Sequence, residues 1–197
     1  MSKKDYKCIN NCIWEEDNEL KETIGLKFID IASNFDFKVC AKCGALYPAT
    51  IKKIKEYHDI LQISPKFESA LKLLYISQYE SSIRQAIIIL EQQLQNLSGL
   101  ENLNGHELVS KAFTYKFDSN KNELITPPKI KINNLSNITE RNEHDGIQLM
   151  LMGFFRGVRN IYMHKSVETQ IMTSLNLITQ ISFYDNLITR QLLSYNK

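Results

Sequence analysis

Between Gly153 and Lys165 the chain reads GFFRGVRNIYMHK, which sets two glycines, two arginines, an asparagine and a histidine into an otherwise apolar stretch. At about 100° per residue, Gly153, Gly157, Asn160 and His164 fall on one stripe of a helix. Arg156 and Arg159 line the neighbouring stripe, while Met150, Phe154, Val158 and Ile161 take a different face and are expected to pack into a core. An imidazole takes up and releases protons near neutral pH. Guanidinium groups hold phosphoryl oxygens bidentately and stabilise charge that grows during attack. Such a face suits a phosphodiester. The competing reading is structural, with His164 capping a helix C-terminus and the arginines paired to carboxylates. Glycine costs about 1 kcal/mol against alanine inside a helix, so a glycine pair on one face points to close approach by another backbone or by a ligand.

A second chemically capable set is Cys8, Cys12, Cys40 and Cys43, the only cysteines in the chain. In CAKCG a Cys-x2-Cys-Gly turn can aim both sulfurs at one ion; CINNC has one residue more between its thiols. Paired thiolates at short spacing suit a tetrahedral zinc site better than a disulfide in a reducing compartment. The expectation is a structural zinc ion held by the four thiols, whose binding energy would fold a segment too small to hold a core unaided. His58, an alternative ligand, sits on the predicted linking helix TIKKIKEYHDI, where Lys52, Lys53 and Lys55 form a small basic face.

The elements that must position these groups follow from periodicity. Ser64 and Pro65 have the types of an N-cap and a first helical residue, and the domain boundary is placed near them, with residues 1–60 a zinc-ribbon-like module plus linking helix and 61–197 a helical domain. A helix through PKFESALKLLYISQ buries Phe67, Leu71 and Leu74, and YESS reads as a break. A second helix from about Ser81 repeats Ile83, Ala86, Ile87, Leu90, Leu94 and Leu97, ends at Ser98-Gly99, and is followed by a short helix near His106 to Phe113. Residues 115–137, with a Pro pair and many asparagines, read as a long loop made basic by Lys116, Lys121, Lys129 and Lys131. Asp145 and Gln148 have capping-box spacing and are expected to open a helix running to about His164; a last helix runs from about Val167 to Ser194. The fold class predicted is all-α, a bundle of four long helices plus a short one, with the small zinc-binding N-terminal module.

The whole chain has 197 residues and a formal charge of +2, too balanced for charge alone to announce nucleic-acid binding. No apolar run is long enough to span a membrane, and MSKKDYKCIN lacks the apolar block of a secretory signal, so a cytoplasmic location without membrane partners is expected.

RNIYMH, Arg159 to His164, resembles the R-x4-6-H motif of HEPN domains, including the polar residue after the arginine, here Asn160. From about Leu61 to Lys197 the chain looks like the bacterial Ymh-type HEPN domain: ISPKFESALKLLYISQYESSIRQAIIILEQQLQNLSGL resembles its first helical pair, NGHELVSKAF its short helix and GFFRGVRNIYMH its motif helix. Ile161 stands where that family usually has a proline, and the cysteine module lies outside the resemblance. The resemblance implies a bundle that forms a homodimer through the motif helices and acts as a metal-independent endoribonuclease in toxin–antitoxin or antiphage systems. His164 would transfer protons as the RNA 2'-hydroxyl attacks its own phosphate, Arg159 would stabilise the phosphorane, and Asn160 would orient the histidine or the substrate. Arg156 is a candidate substrate contact, with Arg84 and Glu91 on the second helix weaker candidates. An antitoxin or sensor protein is the implied further partner. The alternative is a non-catalytic HEPN module that binds RNA, nucleotide or a partner protein; a zinc-dependent DNA-binding regulator ranks last, since no helix-turn-helix pattern or basic recognition helix is evident.

Overall fold

The structure is a computed structural model that describes the backbone of residues 26–31 and 35–40, isolated positions from 43 to 55, and residues 63–195. Two short strands, β1 (Leu26–Ile31) and β2 (Phe35–Cys40), pair antiparallel with Leu26 opposite Cys40 and Ile31 opposite Phe35. Cys40 therefore ends a strand, and Cys43 lies in the turn beyond it. Cys8 and Cys12 lie outside the described residues, so the four-thiol site does too. Among the described residues no three metal-ligating side chains gather.

Ser64-Pro65 opens the helical part in a tighter form than a regular helix: Pro65–Phe67 is a 3-10 turn, followed by α1 (Glu68–Tyr75). The expected continuation to Gln78 fails because Ser77 adopts a left-handed backbone, φ 66°, which stops the helix. The break thus falls at Ile76–Gln78 rather than in YESS, and α2 (Tyr79–Ser98) begins earlier than Ser81. Gly99, φ 70°, ends α2 where the Ser-Gly pair predicts. With α1 only 8 residues long, the bundle has three long helices and not four.

After α3 (Gly105–Phe113), the expected long loop contains a hairpin, β3 (Lys116–Asp118) and β4 (Glu123–Thr126), so the chain is not purely helical. Arg141 stacks 3.9 Å over the Phe117 ring and fastens the hairpin to the next helix. That helix, α4 (Ile138–Phe154), starts a full two turns before Asp145. Its cap is Asn137, whose side-chain amide oxygen accepts from the Glu140 N–H at 2.9 Å, while the Glu140 carboxylate accepts from the Ser136 N–H at 2.8 Å. The helix start thus lies at Asn137 with Glu140 reaching back to Ser136, the residue before the cap, and Asp145 is an interior helical residue. A π-helical turn, Phe155–Arg159, interrupts the helix before α5 (Asn160–His164), and α6 (Ile171–Tyr195) begins four residues later than expected.

The core gathers Phe67, Leu71, Leu74, Ile83, Ile87, Leu90, Leu94, Leu108, Phe113, Leu151, Phe155, Ile178, Ile181 and Ile188. Leu46 and Ile54 join this core, and the Leu46 N–H donates to the Tyr75 carbonyl at 2.9 Å. The two ends of the helical part are also tied together. The Ser64 N–H donates to the Ser182 hydroxyl at 2.7 Å, and Lys66 pairs with buried Asp185 at 3.2 Å. No helix among the described residues is long and apolar enough to cross a membrane.

Candidate active site

The inward stripe of α4 is His144, Ile147, Leu151 and Phe154, at steps of three and four. Met150 lies off this stripe and is exposed, contrary to the expected apolar face. Beyond Phe154 the wider π-helical turn delays the repeat. Tyr162, eight residues after Phe154, is buried, whereas Ile161, seven after it, is exposed at 43%. Ile161 is therefore a surface residue and not the core residue that an unbroken helix predicts. Gly153, Arg156, Gly157, Asn160 and His164 all face outward.

Arg159 ends the π-helical turn and His164 ends α5; Nη1 of Arg159 lies 3.3 Å from Nε2 of His164. A guanidinium can only donate, so in a hydrogen bond between them Nε2 is the acceptor. The arginine is three-quarters or more enclosed, while the histidine is open to solvent. Behind Arg159 stands Glu91 of α2, its Oε1 3.4 Å from Nε and its Oε2 3.5 Å from Nη2. The Nε contact is an ion pair without hydrogen-bond alignment, since that buried nitrogen has no hydrogen-bond partner. Glu91 also accepts the Gly105 N–H at 2.6 Å, so one buried carboxylate ties the start of α3 to the motif arginine.

Gly105 is required at that point for its backbone, φ 58°. A Cβ there would lie 3.9 Å from the Arg159 guanidinium, which shows how closely the start of α3 approaches it. From Gly105, α3 runs antiparallel to α4. The Gln148 side chain donates to the Ser110 carbonyl at 3.3 Å, and His144 Nε2 donates to the Phe113 carbonyl at 2.7 Å. Arg84, two turns before Glu91 on α2, pairs with Glu80 and donates to the Lys165 carbonyl at 3.1 Å, fixing the chain just after His164.

Of the motif residues, the structure brings Arg159 and His164 into contact; Asn160 and Arg156 stand on the outward side and engage no side-chain partner among the described residues. Glu91 and Arg84 hold the motif from behind, more directly than their places on α2 suggested. The signal for Glu91 was available: it is a carboxylate inside the apolar stripe Ile83, Ile87, Leu90 and Leu94. Gly105 carried no sequence signal for this role, because its partner is 54 positions away in the chain.

A family model described as "Protein of unknown function (Hypoth_ymh)" matches residues 67–192, more than half of the chain. The chain belongs to the Hypoth_ymh family. The Hypoth_ymh match spans α1 to α6, so it takes in every element that contributes to the Arg159–His164 pair and its supports, and leaves the cysteines outside. No curated protein and no solved structure matches the chain.

Proposed function

We propose that the chain is a HEPN-type, metal-independent endoribonuclease, acting as a toxin or antiphage effector in the cytoplasm. The observation that carries the reading is the solvent-facing contact of 3.3 Å between Arg159 Nη1 and His164 Nε2, with Arg159 backed by buried Glu91. An imidazole able to exchange that contact for a substrate hydroxyl, beside a guanidinium held in place, is what cleavage by the neighbouring 2'-hydroxyl needs. His164 takes the 2'-hydroxyl proton, Arg159 stabilises the phosphorane, and uncommitted Asn160 and Arg156 meet the substrate. The products are a 2',3'-cyclic phosphate and a 5'-hydroxyl.

Gly153 and Gly157 have open space where a side chain would stand, and Leu149, Met150 and Ile161 lie exposed beside them. That surface supports a homodimer through the motif helices, in which a partner backbone covers the glycines. Cys8, Cys12, Cys40 and Cys43 would hold a zinc ion that supplies folding energy to the N-terminal module and takes no part in cleavage. An antitoxin or sensor protein would restrain the enzyme.

The test is incubation of wild-type protein and His164→Ala with total cellular RNA in EDTA, followed by mapping of cut sites and ends. Cyclic-phosphate ends with wild type, lost by at least about 10²-fold in the variant, are expected. Absence of cleavage with both proteins favours the non-catalytic binding module.

A further inference from the structure

Cleavage of RNA at one phosphate brings the nucleotides beside it against the protein, and single-stranded RNA is read by bases splayed out onto the protein surface. A cleft of about 290 Å³ opens where residues 77–81, the break before α2 and its first turn, face Val167 and Thr169. Val167 lies three residues past His164, so an extended chain sets them at most about 11 Å apart. One wall of the cleft is thus the segment that leaves His164. Arg84 ties the two more closely: its Nη2 holds both Oε1 of Glu80, which lines the cleft, and the carbonyl of Lys165, next to His164, at 3.1 Å. The cleft therefore borders the end of α5.

The lining decides what the cleft takes. Only Oε1 of Glu80 is engaged by Arg84, and among the described residues its Oε2 has no hydrogen-bond partner. The Gln78 carboxamide and the Ser81 hydroxyl are likewise uncommitted among the described residues. Thr169 gives its hydroxyl hydrogen to the Val167 carbonyl at 3.0 Å, which leaves the hydroxyl oxygen as a further acceptor. A carboxylate oxygen repels phosphate and accepts N–H. Adenine, cytosine and guanine each carry an exocyclic amino group that donates in this way, and uracil has none.

We infer that this cleft is a base subsite of the ribonuclease, taking the base of a nucleotide that flanks the scissile phosphate and favouring one with an exocyclic amino group; the inference rests on the ribonuclease reading. Binding there is non-covalent. It selects the sequence that is cut and leaves the chemistry to Arg159 and His164.

Base preference within a competing pool is the measurement, because a ratio between sequences does not depend on how much of a variant is folded. Oligoribonucleotides randomised on both sides of the mapped cut are cleaved in EDTA, and the products are sequenced. Wild type is expected to disfavour uracil by about tenfold or more at one flanking position. Glu80→Gln keeps an oxygen for Arg84 and presents an amide N–H to the cleft, so uracil gains at that position alone. Gln78→Ala flattens the preference there, and decides the matter if Glu80→Gln is inert. Equal use of the four bases or a preference for uracil by wild type, or the wild-type preference kept by either variant, overturns the subsite while leaving the ribonuclease reading in place. Wild type inert on every pool overturns the reading and the subsite together.

Discussion

A buried carboxylate that serves two partners is costly to remove. Glu91→Leu would leave the enclosed Arg159 guanidinium and the Gly105 N–H unpaired, and a loss of about 3 kcal/mol of stability in denaturant titration is expected, together with the loss of a fixed Arg159. Tyr75 is the opposite case. Its hydroxyl is buried without a hydrogen-bond partner among the described residues, and burial, aided by the nearby Glu68 charge, pushes its pKa up to about 12. The fold holds the neutral phenol, whereas the unfolded chain ionises near 10, so this residue draws stability down as pH rises between 10 and 12. Tyr75→Phe is expected to unfold less readily over that window and to match or exceed wild type at neutral pH, as chemical denaturation across pH would show. At this scale the sequence was informative where residue type and chain proximity coincide. Arg159 and His164 could be paired by counting because only four residues lie between them; Glu91 stood out as a carboxylate in an apolar stripe, but its contact with Arg159, like that of Gly105, is set by long-range closure.

The helices were legible in their apolar repeats, and their ends were not. Ser98-Gly99 stopped α2 as its types require, yet nothing in ITERNEHDGIQ distinguishes a helix starting at Ile138 from one starting at Asp145 except the competition between two box-like pairs. Asn137 wins because Ser136 adds its own N–H and hydroxyl to Glu140, and these hydrogen bonds hold the Glu140 carboxyl below the usual range. Asn137→Ala should cost about 1 kcal/mol and raise amide exchange in the first turn of α4 while leaving its C-terminal end unchanged. The π-helical turn escaped detection for a different reason. Its five residues, FRGVR, have ordinary helical types, and only the packing of Phe154, Phe155 and Tyr162 reveals the extra residue. The hairpin in the expected loop is likewise fixed by a tertiary contact, Arg141 on Phe117, that local composition does not encode.

For the molecule as a whole, the open space above Gly153 and Gly157 divides two outcomes cleanly. If a second copy covers this face, Gly157→Arg will fold with an unchanged far-UV circular dichroism spectrum, since nothing among the described residues crowds the position, while light scattering will show the mass falling from two chains to one and the melting temperature will lose the dimer's contribution. An unchanged mass would remove the dimer from the proposal. The division of the chain near residue 60 is drawn from composition, but Leu46, Ile51 and Ile54 pack with the bundle, so a fragment beginning at residue 61 would be missing part of its own core. The contacts between the beginning and end of the bundle also set a clock. Ser64 meets Ser182 across 118 positions and Lys66 meets Asp185 across 119, and α6 packs along the α2 that carries Glu91. At about 5–20 residues per second, a ribosome takes roughly 6–24 s to make the span between them. Arg159 and His164 enter the chain only in the last part of that interval, and the helix that braces their support is made after them, so a protein proposed to cut RNA carries its reactive pair unbraced for a time while it is still on the machine that translates RNA.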